Sequence, residues 1–248
     1  MFPILYINLP QAVQKRVNVE QQLAQVRLPD VQIYRMEPVE GNRLQGLQDD
    51  DRLSLTTRLS LANPMRVKAV ARILGHQACW NWMLTHNVDA ALILEDTVRF
   101  SPAFRDTWFS TVLPLLSVPA PNRQWDVLLL GFRDVRRAQP VQVHGVPLRR
   151  LSLHPRASFR SSRAYVVTLR GAATLTRHLF PIEVSPTDVF FLLLQQLGRL
   201  KLVLLPRDPV CVVVPPGACP CGVGGILWIV LLILLLYAFV LRSLKEQV

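Results

Sequence analysis

Lysine is scarce in this chain, and acidic residues are fewer than basic ones. Its 248 residues carry 28 Lys and Arg, nearly all of them Arg, against 17 Asp and Glu, for a net charge of +11 and a pI near 10.4. Nucleic acid, an anionic membrane surface, or an anionic substrate such as a nucleotide diphosphate would each suit that excess. A compositional bias toward Arg is the plain alternative. Much of the excess is local: ten Arg lie between Arg123 and Arg170, accompanied only by Asp126 and Asp134. Aromatic residues are not interleaved with this cluster, so stacking platforms for single strands are missing and nucleic acid is not an expected partner. Cysteine is sparse too. Cys79, Cys211, Cys219 and Cys221 suggest no disulfide framework, and Cys219-Pro-Cys221 lacks both zinc-knuckle spacing and a nearby His.

Charge is absent altogether from Val223 to Leu241, a run of 19 residues that is apolar throughout from Ile226. About 20 such residues cross a bilayer as a helix. The expected division is therefore a soluble domain over 1–215, a Pro/Gly/Cys linker at 216–222, a transmembrane helix at 223–241 and a short basic tail at 242–248. The cysteines just before the helix suit reversible palmitoylation. Met1–Pro10 has no basic stretch ahead of an apolar core and is read as a first strand, not a leader. The expected arrangement is thus a single-pass C-terminal anchor with the soluble domain on the cytosolic side. Arg242 and Lys245 follow the span, with no Lys or Arg between Arg207 and it. That pattern favours the opposite orientation, which leaves the sidedness open.

The first 215 residues alternate strand and helix signals, with no internal repeat. Strands are expected at Ile4–Asn8, Val31–Met36, Ala91–Leu94, Trp125–Leu130, Ala164–Thr168, Lys201–Leu205 and Val210–Val214. Helices are expected at Val13–Val26, Val67–Thr85, Phe104–Leu116, Gly171–Leu179 and Pro186–Leu197. Residues 133–163 show no clear periodicity. The pattern predicts a single α/β domain on a mostly parallel sheet.

Within it, Ala91-Leu-Ile-Leu-Glu-Asp96 is an apolar run ending in two acids. Ligands of open α/β sheets collect at the carboxyl ends of buried strands. Adjacent carboxylates there can hold a divalent cation, which can hold a diphosphate; a solvated acidic turn is the plain alternative. Asp49-Asp50-Asp51 reads as a solvated loop.

Several stretches occur in a familiar order. They are Tyr6-Ile-Asn-Leu-Pro10, Lys15-Arg16 with Gln22-Leu23, Glu37-Pro-Val-Glu-Gly41, Leu74-Gly-His76 with Trp80, and Leu92-Ile-Leu-Glu-Asp96. Trp125-Asp-Val-Leu-Leu-Leu-Gly131, Ala164-Tyr-Val-Val-Thr168 with Gly171-Ala172, and Pro186-Thr-Asp188 follow. In this order the chain, over roughly residues 3–195, resembles glycosyltransferase family 25, the lipopolysaccharide-biosynthesis and procollagen galactosyltransferase family.

The resemblance implies a GT-A-like fold that moves a hexose, galactose being one candidate, from a nucleotide-diphosphate sugar such as a UDP-hexose. The acceptor would be a glycan, lipid or protein hydroxyl. It implies Glu95 and Asp96 as ligands of a divalent metal, usually manganese, and Asp188 as a catalytic carboxylate that contacts the acceptor or acts as base. Asn8, Arg16 and His76 match positions near the donor, although Arg16 also suits a solvated helix charge and His76 a packed structural histidine. Two departures fall in the same region. The family's last acid of Leu-Glu-Asp-Asp is Thr97 here, a neutral ligand that weakens metal binding. Its Gly-Cys pair falls on Ala71-Arg72, and its Ser on Gly75. A catalytically degenerate binding or scaffold protein on the same membrane anchor is the alternative expectation.

Overall fold

The computed structural model describes residues 1–38, 63–153, 157–182, 187–206 and 210–212. The acidic triplet at 49–51, the turn at 37–41 beyond Pro38, Pro186, and the linker, apolar run and tail from 213 on lie outside the described residues. Among the described residues, no helix is long and apolar enough to cross a membrane.

The apolar stretch before Glu95 forms the strand at the centre of the argument, β3 (Ala90–Glu95), with all six residues buried. Such a run fits only where both faces of a strand are covered. Parallel to β3 runs β1 (Phe2–Ile7), which is parallel in turn to β2 (Val31–Met36). Helix α1 (Val13–Val26) connects β1 to β2, with Val19 and Leu23 buried. Helix α2 (Pro64–Thr85) leads into β3. It puts Val70, Ile73, Leu74, His76, Trp80 and Met83 in the core, at the three- and four-residue spacing of one helical stripe. Gly75 lets α2 sit close: a Cβ there would lie 3.1 Å from both Ile7 Cγ2 and Pro38 Cβ.

After β3 the chain turns through Asp96 and Thr97 into the short strand β4 (Val98–Phe100). A helical segment α3 follows over residues 104–117, with a π turn at Trp108–Val112. Trp108 meets Phe2 edge-on, 5.3 Å between ring centroids. Next come β5 (Val127–Arg136), β6 (Ala138–Val143), β7 (Val146–Leu151) and β8 (Ser158–Thr168). The β6–β7 hairpin turns on His144-Gly145, both at positive φ (51° and 78°), as a two-residue turn matched to strand twist requires. Helices α4 (Leu169–Leu179) and α5 (Thr187–Gln196), then β9 (Leu202–Leu204) and β10 (Val210–Val212), complete the described chain.

Eight strands form one sheet in the order β2-β1-β3-β8-β5-β9-β7-β6, and β10 pairs with β4 separately. The sheet is mixed, which corrects the mostly parallel expectation. Neighbours β2–β1, β1–β3 and β5–β9 are parallel, whereas β3–β8, β8–β5, β9–β7 and β7–β6 are antiparallel. The physical reason is β8, which returns from the hairpin region and inserts between β3 and β5. Residues Met1–Val213 form one compact unit, an α/β domain with its sheet at the core.

Candidate functional site

In the β1–β3 register Ile7 stands opposite Glu95, and the Asp96 N–H donates to the Ile7 carbonyl at 3.2 Å. The two parallel strands therefore end side by side. Asn8 and Asp96, 88 residues apart, emerge there together, where sites of open α/β sheets form. Asn8 Nδ2 donates to Asp96 Oδ2 at 2.9 Å and to the Ala12 carbonyl at 3.1 Å. Lys15 Nζ lies 4.0 Å from Asp96 Oδ1. Burial pushes the Asp96 carboxyl up, against the lowering pull of Asn8 and Lys15 and with the help of Glu95's negative charge. The turn itself is clamped from α1. Gln22 donates to the Val98 carbonyl at 3.3 Å and accepts from the Phe100 N–H at 2.9 Å, which satisfies the exposed edge of β4.

Glu95 has closer company. Its Oε1 lies 3.3 Å from His76 Nε2 and 3.6 Å from Arg72 Nε, and its Oε2 lies 3.5 Å from Arg163 Nε. Arg72 and His76 are four residues apart on α2, hence on one helix face. Arg163 follows from strand register: Leu94 pairs with Ala164, so the next residues along, Glu95 and Arg163, oppose each other on one face. Arg163 Nη1 also reaches Thr97 Oγ1 at 3.4 Å. Burial alone would raise the Glu95 carboxyl. The His76 hydrogen bond and the charges of Arg72 and Arg163 outweigh it and hold the group at about 2.

Beneath Glu95 runs a buried relay. Trp80 Nε1 donates to Tyr165 Oη at 3.0 Å, and that hydroxyl lies 3.0 Å from His76 Nδ1. Indole can only donate and a carboxylate only accept, so Tyr165 Oη accepts from Trp80 and His76 Nε2–H donates to Glu95. His76 has no exposed surface. It packs beneath Glu95 and orients it. Burial, first of all, raises the Tyr165 hydroxyl well above its usual range, which keeps that hydroxyl protonated.

Asp188 joins the cluster from α5. The Ser161 N–H donates to its Oδ2 at 3.0 Å, and the Val189 N–H to its Oδ1 at 3.1 Å. Ser161 adopts φ +80°, a strained conformation for a side-chain-bearing residue. Burial raises the Asp188 carboxyl against these backbone donors and the charge of Arg72. Among the described residues, Asn8 Oδ1, Ser161 Oγ and Thr187 Oγ1 are buried without a hydrogen-bond partner.

The structure thus gathers Asn8, His76, Glu95, Asp96 and Asp188. Arg16 lies on α1 with its charge acting on Tyr6, and it is the neighbouring Lys15 that approaches Asp96. Sequence reasoning missed Arg163 and Tyr165 and saw Arg72 only as a departure. The spacing from Arg72 to His76 was the available signal. A cavity of about 580 Å³ opens at the opposite ends of the strands, by Phe2 and Ala90. Its Arg123 is spent on the carbonyls of Val118, Asp89 and Leu116.

As arranged here, Glu95 and Thr97 do not fit as ligands of a resident divalent cation. Hard cations want several unencumbered oxygens, yet both Glu95 oxygens already face cationic or donor groups. Thr97 Oγ1 faces a guanidinium, and no group of three or more His, Cys, Asp or Glu converges on one point among the described residues.

Comparison with known proteins agrees with the motif order over the first half. The model of glycosyltransferase family 25 (LPS biosynthesis protein) matches residues 1–113. A glycosyltransferase 25 family member of Anopheles gambiae is 24% identical over 127 residues, 51% of this chain and 20% of its own length. A protein of Bos taurus named probable inactive glycosyltransferase 25 family member 3 is 27% identical over 121 residues, 46% of this chain and 19% of its own. The chain spans about a fifth of the length of these curated relatives. The stretches around Trp125, Ala164 and Asp188 lie beyond the family match. Over residues 1–113, which carry Asn8, His76, Glu95 and Asp96, the chain is similar to glycosyltransferase family 25.

Proposed function

We propose that this domain binds a nucleotide-diphosphate sugar, a UDP-hexose by preference, at the joined ends of β1 and β3. It transfers the hexose, galactose being the first candidate, to a hydroxyl of a glycan, lipid or protein. The observation that supports this reading is the convergence of Asn8, Glu95, Asp96 and Asp188 with Arg72 and Arg163 at one end of the strands. In the transfer the sugar C1–oxygen bond to the diphosphate breaks and a bond to the acceptor oxygen forms. The acceptor proton passes to Asp188, whose raised carboxyl suits a base. Positive groups near the departing diphosphate stabilise its developing charge. No step needs a metal, and manganese remains one arm of the test.

A catalytically degenerate binding protein is the second reading. It is favoured by Glu95, whose oxygens are turned toward Arg72, His76 and Arg163. In either case residues 223–241 anchor the domain to a membrane. Full-length protein in micelles, offered a panel of labelled nucleotide sugars with and without manganese, separates the two. Turnover or slow hydrolysis of one donor supports the transferase, whereas nucleotide binding without turnover across the panel leaves the binding protein.

A further inference from the structure

The two departures from the family pattern act on the same carboxylate. Thr97 stands where the resemblance implies an acid, and Arg72 brings a guanidinium to 3.6 Å from Glu95 Oε1. One change removes a negative charge and the other adds a positive one. The local charge shifts by two units, the charge a divalent cation would bring. Arg163 approaches the other oxygen of Glu95 at 3.5 Å, and the charges of Arg72 and Arg133 both act on it. Two guanidiniums, those of Arg72 and Arg163, therefore flank Glu95. Bringing a divalent cation among them would add like-charge repulsion in a partly desolvated place.

Guanidinium is suited to the alternative task. It is planar, always charged, and presents paired N–H donors that match two phosphate oxygens. The Arg72 side chain is 44% exposed and that of Arg163 21%, so the former can swing toward a ligand while the latter is held by Glu95 and Thr97. Resting on the nucleotide-sugar reading above, we propose that Arg72 and Arg163 stand in for a divalent cation and hold the donor diphosphate without metal. Glu95, oriented by His76, then serves to position the two guanidiniums and not to ligate a metal.

The test is calorimetric titration of UDP into the full chain in micelles, once with EDTA and once with manganese, using uridine as the phosphate-free control. UDP is expected to bind in EDTA with an affinity within about twofold of that in manganese. Arg72→Ala and Arg163→Ala should each weaken UDP by about tenfold or more, the worth of one lost charge-assisted contact, and leave uridine unchanged. Arg72 lies on a helix surface, so its variant keeps the fold, and Arg163→Lys, which keeps the charge without the fork, should fall between wild type and Arg163→Ala. UDP binding that needs manganese, or that ignores Arg72→Ala, overturns the proposal and leaves the nucleotide-sugar reading standing. No UDP binding in either buffer overturns both.

Discussion

Replacing Glu95 with Gln removes a carboxylate that Arg72, His76 and Arg163 hold far below its ordinary value of 4.5, at about 2. Each pKa unit is about 1.4 kcal/mol, so the ionised group is worth about 3 kcal/mol to the folded state at neutral pH. That is a sizeable share of the ~5–15 kcal/mol that holds a domain together. Because the folded value is the lower one, the contribution is complete above the unfolded value of 4.5. It is lost as pH falls toward 2; at pH 3 about 2 kcal/mol of it is gone. Urea unfolding of wild type and Glu95→Gln at pH 7, 5, 4 and 3 measures this. The difference in unfolding free energy between the two proteins should be steady from pH 7 to 5 and then narrow. Comparing the pair cancels the carboxylates they share. A gap as wide at pH 3 as at pH 7 would refute the cation-held Glu95.

Tyr165→Phe removes the hydroxyl shared by Trp80 and His76 and strands two buried polar groups, so thermal or urea unfolding should show a loss of about 1–3 kcal/mol. Asp188→Asn should lower turnover of the accepted donor by about 100-fold or more and leave calorimetric UDP affinity unchanged. In wild type, since burial raises the Asp188 carboxyl, the acid limb of the pH–rate profile should lie above the ordinary aspartate range. Deleting residues 214–248 should move the protein from the membrane pellet to the supernatant on fractionation, and full retention would argue against the apolar run as the main attachment.

The elements that local pattern can specify were legible. β3 follows from an unbroken apolar run, α2 from its stripe, and α1 and β2 match their expected bounds. The sheet's direction was not. A strand buried on both faces, such as β8, reads alike whichever way it runs, and its insertion between β3 and β5 depends on contacts distant in sequence. The hairpins of 133–163 were hidden for another reason. Asp134, Arg137, His144 and Ser161 take positive φ, and the β5–β8 register shifts three times, so alternation never persists long enough to be read.

The site divides in the same way. Glu95 and Asp96 were legible because a strand end announces itself, and Asp188 through its motif. Arg72 and Arg163 became partners of Glu95 only through a helix face and a strand register, neither of which a motif records. His76 was legible through its motif, but its contact with Glu95 and its buried relay to Tyr165 and Trp80 depend on β3 and β8. Thr97 stands where the resemblance implies an acid; the structure adds that its hydroxyl faces Arg163.

The central claim is that a nucleotide-diphosphate sugar is held where β1 and β3 end. Hydrogen-exchange mass spectrometry of the full chain with and without UDP-hexose, in EDTA, tests it most directly. The account expects slower exchange at Asn8–Lys15, at Glu95–Val98 and at Arg160–Arg163, with the hairpin at Val143–Val146 unchanged. Protection confined to the opposite strand ends, by Phe2, Ala90 and Trp108, or none at any donor concentration, would contradict it.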